Sequence, residues 1–132
     1  MTLRFMLDTD TVSYALRGQG DVEANIQRQR PSELCISSIT LAELRFGADV
    51  RASAKIHRLI DTFTAAVQVM PFDAEGAARF GVVAATLRAQ GSPIGQFDVL
   101  IAAHAMALRL TLVTNNVQHF NRVRGLKIEK WT

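Results

Sequence analysis

The sequence predicts an α/β fold in three layers, with helices on both faces of a parallel sheet of about five strands. Two observations predict it. Short apolar runs alternate with helical segments along the whole chain, the pattern of a parallel sheet buried on both faces. The composition also supplies a core: 48% of the 132 residues are hydrophobic, with only eight glycines and three prolines. That balance excludes disorder and a fibrous or low-complexity chain. One domain spanning residues 1–132 is expected at this length.

Residues 3–7 are an apolar run ending at Asp8 and read as a buried strand. Thr9–Leu16 suits a first helix, stopped by Gly18 and Gly20. A more polar helix over Asp21–Gln29 must end before Pro31, because the residue ahead of a proline avoids helical geometry. Leu34–Ser37 is a second strand, Ser38–Ala48 and Ala52–Ala66 are helices, and Val67–Met70 is a third strand closed by Pro71. Asp73 caps a long alanine-rich helix that ends near Gly91. Its Gly76 and Gly81 permit close approach, within the core or across a dimer. After a turn over residues 91–95, an almost wholly apolar helix runs from Gln96 to Leu108, which predicts burial on all sides. Thr111–Val113 is a fourth strand, a short helical turn follows Asn115, and Leu126–Ile128 is a fifth, edge strand.

Several function classes drop out. Arg109 and other polar residues interrupt the long apolar stretches before the roughly 18 residues a membrane span needs. The apolar run after Met1 is too short for a signal peptide. The single cysteine, Cys35, excludes an internal disulfide framework and a multi-cysteine zinc site, and a reducing cytosol is the expected setting. Cys35 lies in an apolar strand with no base nearby, so it reads as core rather than nucleophile. His57, His104 and His119 lack zinc-ligand spacing, and His104 reads as a hydrogen-bonded interior residue. Trp131 reads as packing down the end of the chain. The net charge of +3 permits a polyanionic partner without demanding one. Arginine outnumbers lysine twelve to three, and Arg17, Arg28, Arg30, Arg45, Arg51, Arg58, Arg122 and Arg124 are candidates for phosphate contacts or plain surface.

In parallel α/β sheets, ligands bind beyond the carboxyl ends of the strands. Asp8 follows the first strand, Glu43 lies early in the helix after the second, and Asn115 and Asn116 follow the fourth. Asp98 opens the buried helix and joins them if the 91–97 loop brings that helix start to the same edge. Each has a structural reading. Asp8 can cap the next helix, Thr40-Leu41-Ala42-Glu43 fits a capping box, and Asp98 gains about 0.3–1 kcal/mol from the helix dipole. Asn115 and Asn116 can be turn residues. Together they predict more: three carboxylates in one cleft cannot all stay ionised without a cation, and oxygen-only donors favour Mg²⁺ or Mn²⁺ over zinc. The chemistry implied is metal-assisted phosphodiester hydrolysis.

The segments Phe5-Met6-Leu7-Asp8-Thr9-Asp10, Ile36 to Gly47, Pro93-Ile94-Gly95-Gln96-Phe97-Asp98 to Ala105 and Leu112-Val113-Thr114-Asn115-Asn116 fall in an order that resembles the PIN-domain ribonucleases, specifically VapC-type toxins of type II toxin–antitoxin pairs. The resemblance runs nearly to Trp131 and implies a five-stranded PIN-like sheet and a Mg²⁺-dependent endoribonuclease, with Mn²⁺ as a plausible substitute. It carries metal-binding roles onto Asp8, Glu43 and Asp98. Asn116, a neutral side chain where many PIN domains have a fourth acid, completes the catalytic set. The stretch from Pro93 to Asp98 resembles relatives that cut initiator tRNA in the anticodon stem-loop. The resemblance further implies a homodimer, higher toxin–antitoxin assembly, and a VapB-type antitoxin whose tail occupies the cleft. Asn115, Arg45 and His119 are candidate substrate contacts. Asp10 stands where many relatives have Asn, and His119 where some carry another acid.

Two other functions fit parts of the sequence. Asp8-Thr9-Asp10-Thr11 resembles the nucleophile motif of haloacid-dehalogenase-like phosphatases, but after Asn116 the only acid is Glu129, so their later acidic pair is missing. A non-catalytic RNA- or partner-binding module has no need of converging carboxylates, which repel phosphate unless a metal is present.

Overall fold

The computed structural model describes residues 2–132; Met1, which begins the segment read as too short for a leader, lies outside them. The described residues form five strands, β1 (Phe5–Leu7), β2 (Leu34–Ser37), β3 (Gln68–Met70), β4 (Thr111–Val113) and β5 (Ile128–Glu129). Between them lie seven helices: α1 (Thr9–Leu16), α2 (Val22–Gln27), α3 (Ser38–Val50), α4 (Ala54–Ala66), α5 (Ala74–Ala89), α6 (Gln96–Ala107) and α7 (Val117–Phe120). The sheet order is β3-β2-β1-β4-β5, and every pairing is parallel.

Alternation along the strands splits the core in two. Met6 and Cys35 face one side, where they pack with Val83, Leu87, Ile101 and Phe120 from α5, α6 and α7. Phe5, Leu7, Leu34 and Ile36 face the other, with Val12, Leu44 and Ile60 from α1, α3 and α4. Successive side chains of a strand point to opposite faces, so two helical layers are needed to bury a strand apolar on both. The three-layer sandwich expected from the sequence is what forms. α6 is buried through its middle, with Ile101, Ala102, Ala103 and Ala105 fully buried, but not on all sides: Phe97 in its first turn is 55% exposed. Burial pushes the Cys35 thiol up to about 12, which leaves it an inert core residue.

Boundaries moved where caps and turns decide them. α4 starts at Ala54 rather than Ala52, because Ala52 takes a φ of +50° and Ser53 caps the helix by accepting from the Ile56 N–H. The polar helix is shorter than expected, and a 3₁₀ turn over Pro31–Glu33 leads into β2. β5 falls at Ile128–Glu129, slightly beyond the expected run. Gly91 takes a φ of +65° just past α5, the left-handed residue that ends a helix. Trp131 does pack down the chain end, lying edge-on to Phe5 at 4.9 Å, with its indole N–H donating to Glu129.

Asp73 caps α5 as expected, its Oδ1 accepting from the Glu75 and Gly76 N–H groups at 3.1 and 3.2 Å. Asp73→Ala leaves both donors without that acceptor and is expected to lower stability by about 1 kcal/mol. A urea midpoint indistinguishable from the wild type would show the cap to be dispensable.

Candidate active site

The sheet order reverses beside β1. From β1 the chain moves to β2 and β3 on one flank, then enters β4 on the other. The crevice beyond the strand ends at such a switch point is the binding position of open α/β sheets. Asp8 and Thr114, the residues following β1 and β4, meet there: the Thr114 hydroxyl donates to Asp8 Oδ2 at 2.5 Å. Asp8 Oδ1 accepts from the Thr11 N–H at 2.8 Å, so Asp8 caps α1 as its structural reading has it. Asp8 is only 4% exposed. Burial pushes its carboxyl up from 3.8 to about 6, against the hydrogen bonds from Thr114 and Thr11, and the charge of Asp10 adds to the rise.

Glu43 is not part of a capping box. The N-cap of α3 is Ser37, whose Oγ accepts from the Ile39 N–H, which places Thr40 and Glu43 inside the helix. The helix therefore began three residues earlier than the capping-box reading requires. Glu43 Oε1 instead accepts from the Thr9 hydroxyl at 2.6 Å. Ser37 is itself held by buried His104 on α6, whose Nδ1 lies 2.8 Å from its Oγ. His104 is thus the hydrogen-bonded interior residue expected, and burial lowers its pKa. It ties α6 to the start of the helix that carries Glu43.

Asp98 lies in the first turn of α6, and its Oδ2 is 2.9 Å from His119 Nε2. The 91–97 loop does bring this helix start to the edge where the others lie. Burial raises the Glu43 pKa, the Thr9 bond opposes it, and the charges of Asp98 and Asp10 raise it further. Burial also raises Asp98; His119 opposes this, and Asp10 adds to it. Asp10 thus acts on Asp8, Glu43 and Asp98 alike. Four carboxylates on α1, α3, α6 and the end of β1 form one negative field.

The remaining expected residues divide. Asn116 is exposed, its N–H donates to Thr114 Oγ1, and its side chain makes no capping bond to α7. Asn115 is engaged elsewhere, donating to the Tyr14 hydroxyl and accepting from the Thr132 hydroxyl. The Arg45 guanidinium is held by Asp61 at 2.6 Å and by His57 at 3.0 Å, which clasp α3 to α4. The turn of the helix aims Arg45 away from the face that Glu43 uses. His119 bonds Asp98. Thr114 and Thr9 were missed as site residues. Each follows a strand end or an acid in the sequence, but a threonine there carries no local signal of its partner.

An apolar groove of about 170 Å³ runs from Glu43 and Thr9 past Leu16, Leu44 and Ile56, with Arg17 and Arg51 among its lining residues. The acid cluster fits a hard divalent cation in charge and donor type, being carboxylate oxygen throughout. Among the described residues, no three such groups stand close enough to chelate one ion at once. Among the same residues, no helix is long and apolar enough to cross a membrane.

The PIN domain family model matches residues 5–126. A tRNA(fMet)-specific endonuclease VapC from Salmonella typhimurium is 35% identical over 130 residues, covering 98% of both chains. The Shigella flexneri protein of the same name is 36% identical over 131 residues, covering 98% of this chain and 99% of its own. The crystal structure of DNA-bound VapBC from Salmonella typhimurium superposes with a TM-score of 0.89 at 35% identity, over 98% of this chain and 99% of that one. VapBC2 from Rickettsia felis, bound to a promoter DNA fragment, gives 0.87 at 34% identity over the full length of both. A crevice of carboxylates at the switch point of a five-stranded parallel sheet, matched over nearly its whole length by these proteins, places the chain in the PIN-domain family, among its VapC-type members.

Proposed function

We propose that this chain is a toxin endoribonuclease that hydrolyses RNA phosphodiester bonds with a divalent cation, Mg²⁺ or Mn²⁺, and takes tRNA as substrate. Initiator tRNA is the specific candidate, after the relatives named for it. The observation that carries the reading is the shared field of Asp8, Asp10, Glu43 and Asp98 in a crevice otherwise unsuited to a polyanion. Asp8, Glu43 and Asp98 would hold the cation, directly or through water, because ionising all of them unpaired is costly. Bound there, the cation supplies Lewis acidity to the phosphodiester and to an attacking water. Thr114 and Thr9 orient Asp8 and Glu43. The exposed amide of Asn116 orients water or RNA.

In-line attack by water leaves a 5′-phosphate and a 3′-hydroxyl. A VapB-type antitoxin neutralises the toxin, its tail lying in the apolar groove that opens beside Glu43. The partner complexes of the similar structures support that assembly. Family membership leaves the phosphatase reading of Asp8 and Asp10 without support, and Asp8 has both oxygens engaged rather than poised for attack.

Incubation of the purified protein with total tRNA and Mg²⁺ is expected to release fragments with 5′-phosphate ends, with no cleavage in EDTA. Ends carrying a 2′,3′-cyclic phosphate would overturn the reading, since they come from attack by the ribose hydroxyl. Chelator-resistant cleavage would overturn it as well.

A further inference from the structure

His119 stands third in the four-residue α7, just beyond β4, and its ring lies edge-on to buried Phe120. Its Nε2 is 2.9 Å from Asp98 Oδ2. The acids of the cleft are each steadied differently. Asp8 has both oxygens bonded, one by a backbone N–H and one by a hydroxyl. Glu43 has Oε1 bonded by Thr9. Asp98, on a different helix and reached through a loop, is steadied by His119, and its Oδ1 has no hydrogen bond among the described residues. An N–H donor behind a ligating carboxylate fixes which oxygen the carboxylate offers.

We propose that His119 is a positioning residue for Asp98: by holding Oδ2 against its Nε2, it leaves Oδ1 as the oxygen offered to a divalent cation. The proposal rests on the reading of Asp8, Glu43 and Asp98 as the cation-holding set. It differs from a role in gripping RNA, because Nε2 already faces the carboxylate.

The test titrates Mg²⁺ alone, without RNA, against the thermal midpoint of the wild type, His119→Ala, His119→Gln and Asp98→Asn. His119→Ala is expected to need about 10–100 times more Mg²⁺ for the same shift. His119→Gln, which keeps an N–H donor, should stay nearer the wild type. In the tRNA assay, raised Mg²⁺ should restore most of the His119→Ala rate. If His119→Ala fails to fold, His119→Phe keeps the ring against Phe120 without a donor and carries the same expectation. An unchanged Mg²⁺ response with cleavage slowed at every Mg²⁺ concentration would overturn the proposal and make His119 a substrate contact. A wild type that responds to Mg²⁺ no more than Asp98→Asn would instead remove the cation-holding set itself, and this inference with it.

Discussion

Asp8→Asn and Asp98→Asn are each expected to cut RNA cleavage by about a hundred- to a thousandfold while the fold and antitoxin binding survive. The loss is large because each change removes a fixed negative charge from a site proposed to work through a cation, and single preorganised electrostatic groups are worth about 10²–10³ in rate. The fold should survive because asparagine matches the shape of aspartate. Asn at position 8 can still accept from the Thr11 N–H, and asparagine caps helices as well as aspartate does. Asp98 lies in the first turn of α6, where losing a favourable dipole interaction costs at most about 1 kcal/mol. Cleavage by both variants at the wild-type rate would reject the assigned site. Failure of both to bind antitoxin would show instead that the substitutions had disturbed more than chemistry.

The second expectation concerns stability, and its sign is opposite to intuition. Asp8 is pushed up from 3.8 to about 6 by burial, with Thr114 and Thr11 opposing. Between about pH 4 and 6, the folded protein therefore holds a proton that the unfolded chain has released. The stability this contributes is present on the acid side and is lost as pH rises through 6. Glu43 and Asp98, also raised, act in the same direction. Asp8→Asn cannot ionise. In EDTA, its stability relative to the wild type is expected to climb by about 2–3 kcal/mol from pH 4 to pH 7. Mg²⁺ at neutral pH should then raise the melting temperature of the wild type and leave that of Asp8→Asn little changed, because only the ionised cluster rewards the cation. Urea midpoints across pH 4–7.5 check this. Parallel profiles for the two proteins would mean that the buried charge at position 8 costs the fold nothing.

These two effects trace back to features of different legibility. The strands, most helices and the three acids could be read directly. Apolar runs, proline and glycine stops and the Asp73 cap act within a turn of where they stand, so local chemistry determines them. Asp8 and Glu43 followed from the rule that parallel sheets bind at their carboxyl edge. The Glu43 capping box failed because the same four residues suit a helix start, and the stronger cap at Ser37 won by lying at the end of a strand whose position the sheet fixes.

The sequence by itself determined which elements form, which faces they bury and which acids the chain has to spend. Only the tertiary structure decided what each acid touches. Thr114 reaches Asp8 across 106 residues because the parallel register sets Leu7 against Val113. His119 reaches Asp98 because α7 and α6 close on the same crevice, while Arg45, two residues from Glu43, is carried off to α4. A side chain's class is a local property, but its partner depends on strand register and helix packing. Those are set by burying two apolar faces at once, and no stretch of sequence a few residues long contains that constraint.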